Sequence, residues 1–121
     1  MRTIVIAATC LGLLASAASA QTAGPVTSDA RCLLTMAALS SNKANQPAAI
    51  PGIYYFAGRI RAREPGFDFA TRLKPIGVTM SPQDFEAETK RCGPMIIDVL
   101  KGMQAAQQSF APPKPATPPQ K

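Results

Sequence analysis

The 121-residue chain contains no histidine, and residues that favour β-strands are few along its length. Histidine is the commonest general base in enzymes, it activates serine and cysteine nucleophiles, and it is a frequent zinc ligand. Its absence removes most of these chemistries at once. We therefore expect a helical protein that is not an enzyme and that uses neither a metal nor a cofactor.

A membrane-length apolar segment is also missing from the sequence. The longest apolar run, Ile4 to Ala15, has about a dozen residues, whereas a transmembrane helix needs ~20. This run follows Met1-Arg2-Thr3 and precedes the small residues Ala18-Ser19-Ala20. A basic start, a short apolar stretch and a small-residue end are typical of a secretory signal peptide. We predict cleavage after Ala20 and a periplasmic or secreted mature chain without a membrane span.

Cysteines are scarce as well, and the predicted export indicates how they are used. Cys10 lies within the predicted signal peptide, which leaves Cys32 and Cys92 in the mature chain. Two cysteines in an oxidising compartment predict one disulfide. The bridge would close a loop of 92 − 32 + 1 = 61 residues. Closing a loop of that length stabilises the fold by about 4 kcal/mol in the chain-entropy model.

Cys92-Gly93-Pro94-Met95 invites a second interpretation, because it resembles a thioredoxin active-site motif in which methionine replaces the second cysteine. A cysteine at a helix start can have a lowered pKa and act as a nucleophile. The motif here follows a predicted helix instead of a strand and lacks a neighbouring resolving cysteine. A structural disulfide at a helix kink is therefore the favoured interpretation of Cys92.

Helix signals recur along the mature chain. Thr27 or Ser28 can cap a first helix, whose apolar stripe is Cys32, Leu33, Met36, Ala37 and Leu39. A second helix is expected from Pro51 to about Arg63, with Gly58 as a close packing contact. A short amphipathic turn or helix follows, and it carries the apolar residues Phe67, Phe69, Ala70 and Leu73.

The clearest helix start is Ser81-Pro82, followed by Asp84 as the acid of a capping box. The apolar residues of this helix near one face are Phe85, Cys92, Ile96, Val99, Leu100 and Met103. Proline lacks an amide donor, so Gly93-Pro94 should kink the helix or split it.

These signals predict an all-α fold, a small bundle of three to four short helices closed by one disulfide. The predicted organisation is a signal peptide over 1–20, a flexible leader over 21–27 and a single helical domain over 28–110. The five prolines of residues 111–121 predict a disordered, polyproline-like tail.

Without the predicted signal peptide, the chain has twelve basic and seven acidic residues. Five of the basic residues form a candidate surface for an anion or an acidic partner, namely Arg59, Arg61, Arg63, Arg72 and Lys74. Arg59 and Arg63 should share one helix face, and Arg61 should point elsewhere. The alternative interpretation is an ordinary solvated face. Few aromatic residues lie among the basic ones, so we do not expect nucleic-acid binding.

Tyr54 and Tyr55 are candidate recognition aromatics, because two adjacent residues on a helix cannot both point fully inward. The alternative is core packing with one ring at the rim. The methionines outside the predicted signal peptide are interpreted as core-filling residues, because their spacing matches no metal motif; they are Met36, Met80, Met95 and Met103.

From Asp29 to Gln108, the layout resembles the HdeA family of small periplasmic acid-stress chaperones. The shared features are a first helix with Cys32, an aromatic-containing middle helix at residues 52–57 and a Ser-Pro-started helix with Cys92. Only the two cysteines carry over as residues. The resemblance implies a fold that loosens at low pH and exposes apolar surface to unfolding client proteins. Such a switch requires carboxylates that stabilise the folded form, and the chain has seven acidic residues.

We therefore expect a protein of the cell envelope that acts by binding proteins. Chaperone-like binding of unfolded clients is the first hypothesis. The alternative is a dedicated binder of one partner, such as a periplasmic immunity protein or an accessory subunit of an envelope assembly. The sequence leaves the oligomeric state open.

Overall fold

The computed structural model describes residues 24–110 and residue 112. Its four helices are α1 (Pro25–Leu39), α2 (Gln46–Arg63), α3 (Phe69–Gly77) and α4 (Pro82–Phe110), and the described residues contain no strand. The predicted all-α bundle closed by one disulfide is confirmed. The predicted signal peptide and nearly all of the predicted proline-rich tail lie outside the described residues.

Helix α1 begins earlier than its sequence signals indicated. Gly24 is the N-cap and Pro25 opens the helix, so the predicted cap at Thr27 or Ser28 is wrong. Proline suits the first helical position because its missing N–H would have had no partner there. Residues 25–27, which were predicted to belong to the leader, are therefore part of α1.

Helix α2 also begins earlier, at Gln46 instead of Pro51. Pro47 occupies the first turn, and Pro51 lies inside the helix. The amide that Pro51 lacks would have bonded the carbonyl of Pro47, close to the helix start, so the loss costs one bond near an end. Helix α3 likewise continues through Pro75, and its N-cap Asp68 accepts a hydrogen bond from the Ala70 amide at 3.0 Å.

The predicted capping box of α4 is confirmed. The Asp84 amide donates to Ser81 Oγ at 3.2 Å, and the Ser81 amide donates to Asp84 Oδ2 at 2.8 Å. Of the two expected outcomes at Gly93-Pro94, the split is wrong, because α4 is one helix of 29 residues, and the kink stays a prediction. Cys92 and Ile96 are both buried and anchor the helix on either side of Pro94, so the missing amide does not end it.

The core lies between α1, α2 and α4. Its fully buried side chains include Phe56, Phe67, Ile60, Ile96, Thr35, Cys32 and Cys92. The disulfide joins α1 to α4, with the two Cα atoms 5.7 Å apart. No helix within the described residues combines the length and the apolar character needed to cross a membrane.

The glycine at which the helices approach closely is Gly52. A methyl group there would lie 2.8 Å from Met36 Cγ and Sδ and 3.3 Å from Ile96 Cγ1, so only a hydrogen fits without a shift. Gly58 was expected to make such a contact, and this expectation is wrong. A methyl group on Gly58 would meet nothing within 4 Å, because this residue faces away from the core.

Candidate functional site

An apolar groove runs between α2 and α4, and we refer to it as the α2–α4 groove. It consists of two cavities on either side of Ile96. The first, of about 260 Å³, is lined largely by Met36, Leu39, Ala44, Pro47, Ala48, Ala49, Gly93, Ile96 and Ile97, with Asn45 and Thr89 as its polar lining. The second, of about 310 Å³, is lined by Pro51, Tyr54, Tyr55, Ile96, Val99, Leu100 and Met103.

Large apolar side chains are exposed at this groove. Among the described residues six such side chains are exposed, and Tyr54, Ile97 and Met103 are three of them. Tyr54 is 74% exposed and Met103 is 58% exposed. An exposed apolar surface next to a concave one is typical of a site that binds a protein segment or a small apolar ligand.

The structure brings the two candidate recognition aromatics to one cavity. Tyr54 and Tyr55 both line the second cavity, Tyr54 at its rim and Tyr55 half-buried against the core. The Tyr55 hydroxyl accepts a hydrogen bond from Arg59 Nη1 at 3.1 Å. One side of the Tyr55 ring packs against the core and the other lines the cavity. A ring fixed in this way can contact a bound molecule with little loss of side-chain entropy.

Helix α4 continues past the bundle. Every residue from Lys101 to Phe110 is exposed, and we refer to residues 101–110 as the α4 extension. Met103 was expected on the core-facing stripe as a core-filling residue, and this expectation is wrong. The row of apolar residues along α4 continues past the point where the other helices cover it, so the last apolar residues of the row face solvent. Met36 and Met80 are buried, as expected of core-filling residues.

The predicted basic cluster is divided between two sets of contacts. Arg59 Nε lies 3.1 Å from Asp29 Oδ1, and Arg63 Nη1 lies 3.2 Å from Asp29 Oδ2. The Asp29 side chain is 3% exposed, so these two arginines neutralise a buried charge and hold α2 to α1. They share one helix face, as expected.

The other three members of the cluster have different surroundings. Arg61 Nη1 donates to the Pro65 carbonyl at 2.7 Å. Arg72 forms an ion pair with Glu64 and lies over the Phe67 ring, 4.3 Å from its centroid. Lys74 is exposed. Four of the five residues, the arginines, therefore make contacts within the fold.

A second ionic cluster joins α1 to the start of α4. Arg31 lies 2.7 Å from Asp84 Oδ1 and 2.8 Å from Glu88 Oε1, and Arg91 contacts Glu88 from the other side at 2.6 Å. Hydrogen bonds from the Ser81 side chain and amide, together with Arg31, lower the pKa of Asp84 from 3.8 to about 2. The hydrogen bond to Glu88 raises the pKa of Arg31 above its ordinary value.

One group of side chains has the composition of a metal site. The sulfur atoms of Cys32 and Cys92 and a carboxylate oxygen of Glu88 lie within 4.8 Å of one another. Metals bind thiolates, and the two sulfurs are joined in a disulfide. Glu88 is moreover bonded by two arginines, whose positive charges oppose a cation. In the oxidised protein this group is a structural cluster.

Sequence reasoning identified the tyrosines of the groove but not its first cavity. That cavity is lined by small residues of α2 and by Gly93 of α4, and no periodic pattern marks them. A signal was present in the consecutive small residues Ala48 and Ala49, which leave space where two helices meet.

The chain was compared with protein-family models, with curated proteins and with solved structures, and none of the three comparisons finds a match.

Proposed function

We propose that the protein binds other proteins through the α2–α4 groove and holds apolar segments of unfolded clients in a chaperone-like manner. The observation that carries this proposal is the exposed apolar lining of the groove, with Tyr54, Ile97 and Met103 on its open side. Unfolded chains expose apolar side chains that a folded protein buries, and an apolar groove binds them with little sequence specificity.

The composition of the groove supports weak binding of many segments. Tyrosine and methionine adapt to different apolar surfaces, and both line the second cavity. Among the described residues, no charged side chain lines either cavity. A site of this kind discriminates by apolar character and not by charge.

The placement of the acidic residues supports a response to acid. Three of the seven acidic residues form ion pairs between helices. Asp29 joins α1 to α2, and Asp84 and Glu88 join α1 to α4. Protonation of Asp84, whose pKa is lowered to about 2 in the folded protein, would weaken its ion pair with Arg31 and loosen the contact between α4 and α1. The predicted signal peptide supports a role in the cell envelope, where acid reaches proteins directly.

The first experiment is an assay of client aggregation. Light scattering of a model enzyme held above its unfolding temperature is followed with and without the oxidised protein, at neutral and at acidic pH. We expect suppression of scattering, and we expect Tyr54→Ala combined with Met103→Gln to reduce it several-fold. Val78→Ser is the matched control, because Val78 is 73% exposed but lines neither cavity. Equal activity of the groove variant and the wild type would contradict the proposal.

A second candidate function is dedicated binding of one partner. The observation that favours it is the fixed frame of the groove, since the disulfide and the ion pairs hold α1, α2 and α4 in place. A preformed site loses less entropy on binding and can be specific. Stoichiometric capture of one protein at neutral pH, abolished by the same groove variant, would favour this candidate over the chaperone-like one.

A further inference from the structure

We propose that two copies of the protein associate through their α4 extensions, with Phe110 of each copy seated in the second cavity of the other. This inference rests on the proposed function in using the same groove, and it identifies a second copy of this chain as a partner of that groove.

The first observation is the spacing of apolar residues along α4. Cys92, Ile96, Val99, Met103, Ala106 and Phe110 follow one another at alternating intervals of four and three residues. This is the spacing of a coiled-coil seam. The first two residues are buried inside the bundle, whereas Met103 is 58% exposed and Phe110 is 85% exposed. The seam therefore continues where the other helices of the same chain no longer cover it.

The second observation is that the α4 extension has little to stabilise it alone. All ten of its residues are exposed, and it contains Gly102, a weak helix former. Most of the stability of a helix in a protein comes from tertiary packing of its apolar face, and the extension has no such packing. A second helix against the exposed seam would supply those contacts.

The third observation is a projecting side chain and a cavity on the same helix. Phe110 is the most exposed large apolar side chain in the described part of the chain. The second cavity, of about 310 Å³, lies around Val99 and Met103. Phe110 is seven residues beyond Met103, the last residue of the helix that lines the cavity, or about 10 Å along the helix, and it does not line the cavity of its own chain. A second copy running in the opposite direction can bring its Phe110 there.

An antiparallel alignment of two extensions is self-complementary. When Val99 lies opposite Phe110 of the second copy, Met103 lies opposite Ala106, so a larger side chain faces a smaller one in the central layers. Two-fold symmetry repeats both pairs. No charged residue occurs between Gly102 and Phe110, so the alignment places no like charges against each other.

The test measures the association state of the oxidised mature chain, residues 21–121, by sedimentation equilibrium at neutral pH. We expect a reversible dimer, and we expect Phe110→Ala to raise its dissociation constant at least tenfold, as for an aromatic side chain that fills a pocket of the partner. Val78→Ala is the matched control and should leave the dissociation constant unchanged, because Val78 is similarly exposed but lies outside α4.

Tyrosine fluorescence tests where Phe110 is seated. The chain has no tryptophan and two tyrosines, and both tyrosines line the second cavity. We expect dilution of the wild type to change tyrosine emission at the concentration at which the dimer dissociates. The emission of Phe110→Ala should match that of the dissociated wild type.

A monomer at all concentrations, or a dimer that is unaffected by Phe110→Ala, would overturn the inference. Phe110→Ala is also measured in the client-aggregation assay. Because its groove remains intact, the variant should retain client binding. A monomeric protein that still binds clients through Tyr54 would refute the dimer alone. A dimer sensitive to Phe110, with no effect of groove variants on clients, would refute the proposed function alone.

Discussion

We refer to residues 82–100 as the first half of α4 and to the α4 extension as its second half; the two differ in almost every respect although they belong to one helix. The first half begins with the Ser81–Asp84 capping box, carries the disulfide at Cys92 and pairs Glu88 with two arginines. The α4 extension has one charged residue, Lys101, and all of its residues are exposed. The first half has its partners within the bundle, and the second half presents an apolar surface. One continuous helix is thus part of the frame of the bundle at its start and exposed to solvent at its end.

The largest test of this contrast is removal of the disulfide from the first half. Replacing Cys32 and Cys92 together by serine should lower the free energy of unfolding by about 4 kcal/mol, because the unfolded chain regains the entropy of an open 61-residue loop. Urea denaturation under oxidising conditions measures the change. Adding a reductant should destabilise the wild type and leave the double variant unchanged. Equal stability of the two proteins would contradict the role of the bridge.

A smaller loss is expected for Glu88→Gln, which keeps the shape of the side chain and removes its charge. The Glu88 side chain is 12% exposed and is bonded by Arg31 and Arg91, so the substitution should cost about 2 kcal/mol. Glu86→Gln is the matched control two residues earlier, where the pair with Lys90 is exposed and its loss should cost below ~0.5 kcal/mol. Thermal unfolding of the two variants compares them, and similar midpoints would refute a special role for Glu88.

The third test concerns pH and the start of α4. Since the pKa of Asp84 is about 2 in the folded protein against an ordinary 3.8, the ionised carboxylate stabilises the fold fully above about pH 4. That contribution is lost as the pH falls towards 2. We expect Asp84→Asn to be less stable than the wild type at pH 6 and nearly as stable at pH 2. The unfolding midpoints of both proteins are measured from pH 6 to pH 2. A difference between variant and wild type that does not change with pH would contradict the lowered pKa of Asp84.

The smallest effect is expected at the exposed end of the same stripe. Met103→Gln should change the free energy of unfolding of the monomer by less than ~0.5 kcal/mol, because Met103 lies mainly in solvent. Ile96→Ala, seven residues earlier, removes a buried side chain and should cost about 3 kcal/mol. Denaturation is measured at a concentration too low for association. A comparable loss in both variants would mean that the contrast between the two halves is wrong.

The sequence predictions are confirmed where a signal is local or where each residue has one possible partner. The Ser81–Asp84 capping box needs residues three apart, and the disulfide follows from the two cysteines left after the predicted signal peptide; both are confirmed. The starts of α1 and α2 were missed because Pro25 and Pro47 open those helices without a capping side chain.

The tertiary arrangement could not be derived in the same way. The spacing of apolar residues identified the stripe of α4 that ends at Met103. The same spacing does not show how far along α4 the other helices pack against this stripe. The basic cluster was a prediction from spacing alone, and Asp29, which engages two of its members, lies thirty residues or more away in sequence. The groove depends on the distance between α2 and α4. Gly52 allows these helices to approach closely, and this distance cannot be read from the amino-acid composition.

Helix α3 lies apart from both halves of α4. It packs on α1 and contains no fully buried residue, whereas Phe67, just before it, is buried. Its backbone amides can therefore exchange with solvent through a local opening that leaves the disulfide and the groove intact. Amino-acid replacements and insertions near residues 69–77 should therefore be tolerated better than in the other three described helices.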